Sequence, residues 1–166
     1  MNGEKRRRSP WQKSTMASEL TLSPEGVAFI AKFEGFRAMA YTCPAGKPTI
    51  GYGHVIRPGE YFEAVGREQA MVLLQRDAER ESEPVARHLT AELPQHQQDA
   101  LISLAFNCGG RSIARSTLVQ RLNQGLTDEA AMEFLRWNKI ARVESRGLAW
   151  RRAAEHKLFL TGDYGS

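Results

Sequence analysis

The sequence predicts an α+β fold, a small β-hairpin lobe joined by a long helix to a larger helical lobe. Three observations carry this. Ser23-Pro24-Glu25 is a capped helix start, and it leads into two short runs set around the turn Pro44-Ala45-Gly46-Lys47. From Gly66 onward apolar residues recur at helical spacing almost to the end. A chain of 166 residues, 42% apolar, is long enough to build a core, so residues 20–166 are read as one domain.

In chain order, residues 1–19 are polar, basic and aperiodic. They read as a disordered basic tail or a non-native extension, with Met16 as the more natural start. The first helix is expected over 24–36, with proline and an acid in its first turn and Gly35 loosening its end. Residues 38–41 and 49–52 read as strands, and Arg57-Pro58-Gly59 turns the chain toward a third, so the β lobe covers about 38–64. Ala70, Val72, Leu73 and Leu74 mark the connecting helix from about 67, expected to stop near Glu83 because Pro84 breaks or kinks it. Residues 95–108 read as the central helix of the second lobe, ended by Gly109-Gly110. Helices from Ser116 or Thr117 to Asn123, over 127–137 with Thr127 as cap, and over 148–160 complete the bundle.

The net charge of +4 is concentrated at one end. Lys5, Arg6, Arg7, Arg8 and Lys13 face only Glu4 within residues 1–18, so the remaining body is neutral. That composition gives no sign of a nucleic-acid-binding body. Cys43 and Cys108 are too few for a disulfide framework, and neither has a partner at metal-ligand spacing. The most apolar windows, 27–31 and 100–106, are too short to span a bilayer, and no secretory apolar region follows the arginine cluster.

The chemistry concentrates between Phe29 and His54. On a helical wheel Glu34 falls between Ile30 and Val27, opposite Glu25 and Lys32. A carboxylate on an apolar flank is costly unless protonated, paired or hydrogen-bonded. Burial there is expected to raise the pKa of Glu34 toward neutrality. Eight residues separate Glu34 from Cys43, and five more separate Cys43 from Thr49. A carboxyl at a helix end, facing a hairpin with a thiol and a hydroxyl, suggests a general acid opposite a water-positioning pair. Gly51 and Gly53 suit close backbone approach or a bulge. They are not a phosphate loop, because no helix with Lys-Ser or Lys-Thr follows.

The run Glu34-Gly35, Ala40-Tyr41 and Thr49-Ile50-Gly51-Tyr52-Gly53-His54 resembles the active-site region of phage-type lysozymes, glycoside hydrolase family 24. Their motif is Glu, eight residues, Asp or Cys, five residues, Thr, and this chain has the Cys form. Phe106-Asn107 with Gly109, Ser116-Thr117-Leu118, residues 134–138 and Gly147-Leu148 with Arg151-Arg152-Ala153-Ala154-Glu155 extend the resemblance over about 22–164. The resemblance implies a lysozyme-like fold and hydrolysis of the β-1,4 bond between N-acetylmuramic acid and N-acetylglucosamine in peptidoglycan, leading to host lysis. Glu34 would be the acid, with Cys43 and Thr49 holding the attacking water. His54 would pair with Asp77 for support, and Asn107, Ser116, Thr117 and Trp137 are candidate sugar contacts across the cleft. Trp137 reads equally as a core anchor. Arg146, Arg151 and Arg152 read either as contacts for peptidoglycan's acidic groups or as a solvated helix start, and Cys108 as a packed neutral thiol.

No metal or organic cofactor is implied, nor a nucleic-acid partner or stable membrane insertion. A monomer is expected in the host cytoplasm until a holin releases it to the periplasmic wall. Two other readings stand beside this one, a chitin-type glycan hydrolase and a non-catalytic glycan-binding module in which Cys43 is a lost carboxylate. The protonation states set a further choice. With a glutamic acid at about 6 and a cysteine at about 8.5, only roughly 0.3% of molecules hold protonated Glu34 and ionised Cys43 together near pH 7. Either hairpin donors lower the Cys43 thiol, or neutral Cys43 shapes the water site with Thr49. The absence of a well-placed Lys, Arg or His, with Lys47 pointing outward, favours the second.

Overall fold

A computed structural model describes residues 19–165; the tail expected over residues 1–19 falls outside these, save Glu19. Helix α1 (Pro24–Ala31) is capped by Ser23, whose hydroxyl accepts from the Gly26 amide at 3.0 Å and donates to Asp99. Asp99, fully buried on the central helix, also accepts from the Ser23 amide, Gln95 and the Tyr164 hydroxyl. One buried carboxylate thus fastens the start of the domain to its end.

The expected helix to residue 36 stops at Ala31. Past it the amides of Phe33 and Glu34 bond three residues back, to Ile30 and Ala31, in tight turns. The diversion lets Phe33 pack on Phe29 in one lobe and Phe36 on Tyr52 in the other. A straight helix could not serve both.

Strands β1 (Arg37–Thr42), β2 (Pro48–Gly51) and β3 (His54–Val55) form an antiparallel sheet in that order. The third strand comes before the 57–59 turn rather than after it. Gly51 has φ +66°, and a Cβ there would lie 3.0 Å from that of Ala70, so this backbone rests directly on the connecting helix. Pairing shifts register between Arg37 and Tyr41.

Helix α2 (Arg67–His88) runs through Pro84 instead of ending before it. Proline costs the Arg80 carbonyl its helical partner, but beyond it Val85 and Leu89 are buried. Tertiary burial overrides the local signal. Gly110 abuts the same stretch so closely that a Cβ would meet the Glu81 carbonyl oxygen at 1.6 Å.

Helix α3 (Gln95–Cys108) has the expected bounds and buries every residue from Asp99 to Ala105. A short α4 (Gly110–Ala114), absent from the sequence reading, precedes α5 (Thr117–Asn123) and α6 (Thr127–Phe134). Leu126, not Thr127, occupies the cap of α6, which ends three residues short of Trp137. An unforeseen hairpin follows, β4 (Lys139–Ile140) and β5 (Val143–Glu144), turned by Ala141 and Arg142 at positive φ. Helix α7 (Arg146–Thr161) starts two residues earlier than expected, capped by Ser145. Phe134 on α6 meets Phe159 on α7 at 5.2 Å, and α7 packs along α3. Full burial of such side chains is worth about 1.5–3 kcal/mol each. No helix of the described residues is long and apolar enough to cross a membrane.

Candidate active site

Glu34 sits in the turn beyond α1, and its environment differs from the helical-wheel expectation. Its side chain is 24% exposed rather than buried against Ile30 and Val27, and it accepts from Arg151 Nη1 at 2.7 Å. Arg151 lies buried on the first turns of α7, its guanidinium 4.9 Å from the Phe33 ring centroid. Its Nε donates to Glu155 Oε1 at 3.1 Å.

Glu155 is fully buried and receives more than that one bond. The Ser103 hydroxyl donates at 2.6 Å, Arg152 Nη2 at 3.1 Å, and Arg152 Nε makes a 2.8 Å ion contact with the other oxygen. Arg152 extends further, to Cys108 Sγ at 2.9 Å and Asn107 Oδ1 at 3.0 Å. Burial pushes the Glu155 carboxyl upward, opposed by both guanidiniums and the Ser103 hydroxyl. Burial likewise raises the Cys108 thiol, against the pull of Arg152. Arg151 and Arg152 are therefore neither a solvated helix start nor free cations. The i,i+3 and i,i+4 spacing of these arginines to Glu155 was the available sequence signal.

Cys43 and Thr49 lie together on the β1–β2 hairpin. The Cys43 amide donates to the Lys47 carbonyl at 2.9 Å, and the Thr49 hydroxyl donates to that carbonyl at 3.0 Å. The Lys47 amide foremost, then the Thr49 hydroxyl, the Ala45 amide and the Lys47 charge, lower the Cys43 thiol below its ordinary value. The direction is the one expected in the first of the two alternatives considered from sequence, where hairpin donors lower the thiol. The donors are chiefly backbone amides together with the Thr49 hydroxyl, the kind that alternative names, rather than cationic side chains. The single Thr49 proton serves either the carbonyl or the sulfur at one time.

His54, buried on β3, lies with Nδ1 2.6 Å from Asp77 on α2 and Nε2 2.9 Å from Glu60. The ring thus bridges a carboxylate on α2 and one beyond the 57–59 turn. Glu60, absent from the sequence reading, is drawn down to about 2 by the Arg57 amide, then His54, with Arg76 adding to it. Gly51 underlies this junction against α2, while Gly53 is exposed with φ +86°.

Two adjoining hollows mark the rest of the site. One of about 390 Å³ is bordered by Glu34, Phe33, Trp150 and Arg151, the other of about 490 Å³ by Trp137, Cys108 and Lys139. Asn107, Ile140 and Leu148 border both. The structure therefore gathers Glu34, Asn107 and Trp137 along one surface. Ser116 and Thr117 line neither hollow; the Ser116 hydroxyl is committed to the Ile113 carbonyl at 2.6 Å, and Thr117 is exposed. Ile140 and Trp150, both unassigned from sequence, complete the borders.

The chain is 40% identical over 146 residues to an endolysin of Bacillus phage B103, a match covering 87% of this chain. It spans 56% of that relative's length. An endolysin from Escherichia coli O157:H7 phage FAHEc1 superposes with a TM-score of 0.79 at 32% identity, covering 90% of this chain and 99% of that one. The muramidase domain of SpmX from Asticaccaulis excentricus gives 0.76 at 35% identity, over 85% and 98%. Residues 31–155, which hold the Glu34 turn, the hairpin and Glu155, match the family described as phage lysozyme, and with these relatives they show that the chain belongs to the phage lysozyme family.

Proposed function

We propose that the protein is an endolysin-type muramidase, hydrolysing the β-1,4 bond between N-acetylmuramic acid and N-acetylglucosamine in peptidoglycan. The observation that carries the reading is Glu34, a carboxyl opening on a hollow and held by a buried arginine. The muramidase name of a 35% identical neighbour supports it.

In this reading Glu34 gives its proton to the departing glycosidic oxygen. Arg151 is the counterion for the carboxylate left behind. Cys43 and Thr49 hold a water against the opposite face of the sugar, whose attack inverts the anomeric centre. The donors around Cys43 favour the thiolate, which accepts a hydrogen bond from that water. His54, Asp77 and Gly51 support the β lobe on α2, and Asn107 and Trp137 contact the glycan. Ser116 and Thr117, outside both hollows, are left as sites for a longer strand. Action as a monomer, and holin-mediated passage from the host cytoplasm to the periplasmic wall, belong to the same proposal. Sedimentation and lysis timing with and without a co-expressed holin test those two parts.

Product analysis of digested, purified peptidoglycan decides the reaction. New reducing ends on muramic acid are expected, and their absence across acid to alkaline pH would sink the proposal.

A further inference from the structure

Trp150 is a large apolar side chain held in the open. It stands on the first turns of α7, whose inward face is formed by Arg151, Arg152, Glu155, Leu158 and Phe159. Rotated off that face, Trp150 is 65% exposed. One side of the indole is nonetheless fixed, against the Phe33 ring at 5.1 Å. Phe33 is itself braced by Phe29 and lies beneath the Arg151 guanidinium. The indole also borders the hollow that contains Glu34, with Phe33 and Ile140, the latter 63% exposed, on the same border.

Packing Phe33 requires only the buried edge of such a ring. A solvent-facing indole that rests on the Phe33 ring and borders the Glu34 hollow offers a binding surface. An N-acetylhexosamine presents an apolar face of C–H bonds, flanked by hydroxyl and amide groups. The flat face suits an indole, and the polar edge remains in water. Tryptophan also covers much area at little cost in conformational freedom.

We infer that Trp150 is a stacking platform for one sugar ring of the glycan strand, placing that ring in the hollow beside Glu34. The inference rests on the muramidase reading for the strand's identity, but the platform can be measured by binding alone. Its occupant is the sugar, not the stem peptide of the wall.

Two measurements test it. Calorimetric titration with a tetramer of N-acetylglucosamine should show affinity falling about tenfold in Trp150→Ala and Trp150→Leu, and largely restored in Trp150→Phe. On purified peptidoglycan the same variants should raise KM about tenfold with kcat within twofold, and their melting temperatures should match the parent's. Unchanged affinity in Trp150→Ala overturns the platform. A fall in kcat at constant KM overturns it too, since Trp150 would then act through Phe33 and Arg151. Loss of KM on intact wall, with tetramer affinity unchanged, assigns the surface to the stem peptide and defeats the inference. A parent protein that binds the tetramer through Trp150 but releases no reducing ends would refute the muramidase reading while leaving the platform standing.

Discussion

The two groups of residues given roles in the proposed reaction are held by opposite means. Glu34 is fixed from afar, by an arginine 117 residues along the chain that is itself clamped by a buried glutamate. Cys43 and Thr49 are fixed from nearby, by hydrogen bonds that close within seven residues of hairpin. The proposed acid, Glu34, depends on the integrity of the helical lobe, and the proposed water-holding pair depends on one turn. Damage to the core should therefore disarm the acid first, whereas changes in the hairpin should leave the fold alone and alter only the chemistry.

The sharpest break is at the acid itself. Glu34→Gln keeps the shape and a partner for Arg151 but supplies no acid, so turnover on peptidoglycan should fall by at least about 100-fold. A melting temperature near the parent's would confirm that the loss is chemical. Retention of more than a tenth of the activity would place the proton donor elsewhere.

The next break is remote. Glu155→Ala leaves Arg151 and Arg152 buried without their shared carboxylate, and removing one partner of a buried ion network costs about 3–5 kcal/mol. Denaturant unfolding should show that loss, and the surviving folded enzyme should turn over more slowly because Arg151 is free to leave Glu34. Full activity in the folded fraction would show that Glu34 does not need this support.

These two predictions also mark what was legible in the sequence. The two-lobe arrangement and the bounds of α3 and α5 follow from spacing, caps and glycines, all local signals. Pro84 within α2 and the early stop of α1 were misread because buried Val85 and Leu89, and the two-way packing of Phe33 and Phe36, outweigh propensity. The partner of Glu34 was misread for a related reason. Arg151 was read as a solvated helix start or a glycan contact; its i,i+4 spacing to Glu155 was visible, but only the fold reveals that the pair is buried and reaches Glu34. The β4–β5 hairpin was missed because Ala141 and Arg142 take positive φ without the Asn or Gly that normally announces such a turn.

A third test lies at the joint between the lobes. His54→Asn removes contacts to both Asp77 and Glu60, and should lower stability by about 2 kcal/mol, as for hydrogen bonds to charged groups. Turnover of the folded enzyme should be unchanged. Glu60 adds a pH signature. Its folded value of about 2 lies below the ordinary 4.5, so its contribution is complete above 4.5 and disappears as pH falls toward 2. Acid unfolding of His54→Asn should begin at higher pH than in the parent, because Glu60 loses one of its main donors. Coincident acid transitions would show that the junction does not couple the two groups.

The smallest effect is expected at Cys43, where the local character of the hairpin becomes a prediction. The donors acting on Cys43 are Lys47, Thr49 and Ala45, all within the hairpin, so Cys43→Ser and Cys43→Asp should both fold with the parent's stability. The chemistry should separate them. The water must lose a proton as it attacks, and an anionic acceptor helps more than a neutral one. The amides of Lys47 and Ala45 and the Thr49 hydroxyl stabilise negative charge at this position, whether it rests on sulfur or on a carboxylate. Cys43→Asp should therefore be at least as active as the parent, and Cys43→Ser, a neutral hydroxyl in the working pH range, about tenfold slower. The lowered thiol also predicts a pH profile whose acid-side rise follows Cys43 ionisation and is absent in Cys43→Ser. In the proposed mechanism water and not sulfur attacks the sugar, so the first-formed product should have inverted anomeric configuration by NMR. A retained configuration, or a trapped glycosyl adduct on Cys43, would make the thiol the nucleophile, and the hairpin would then be a covalent participant.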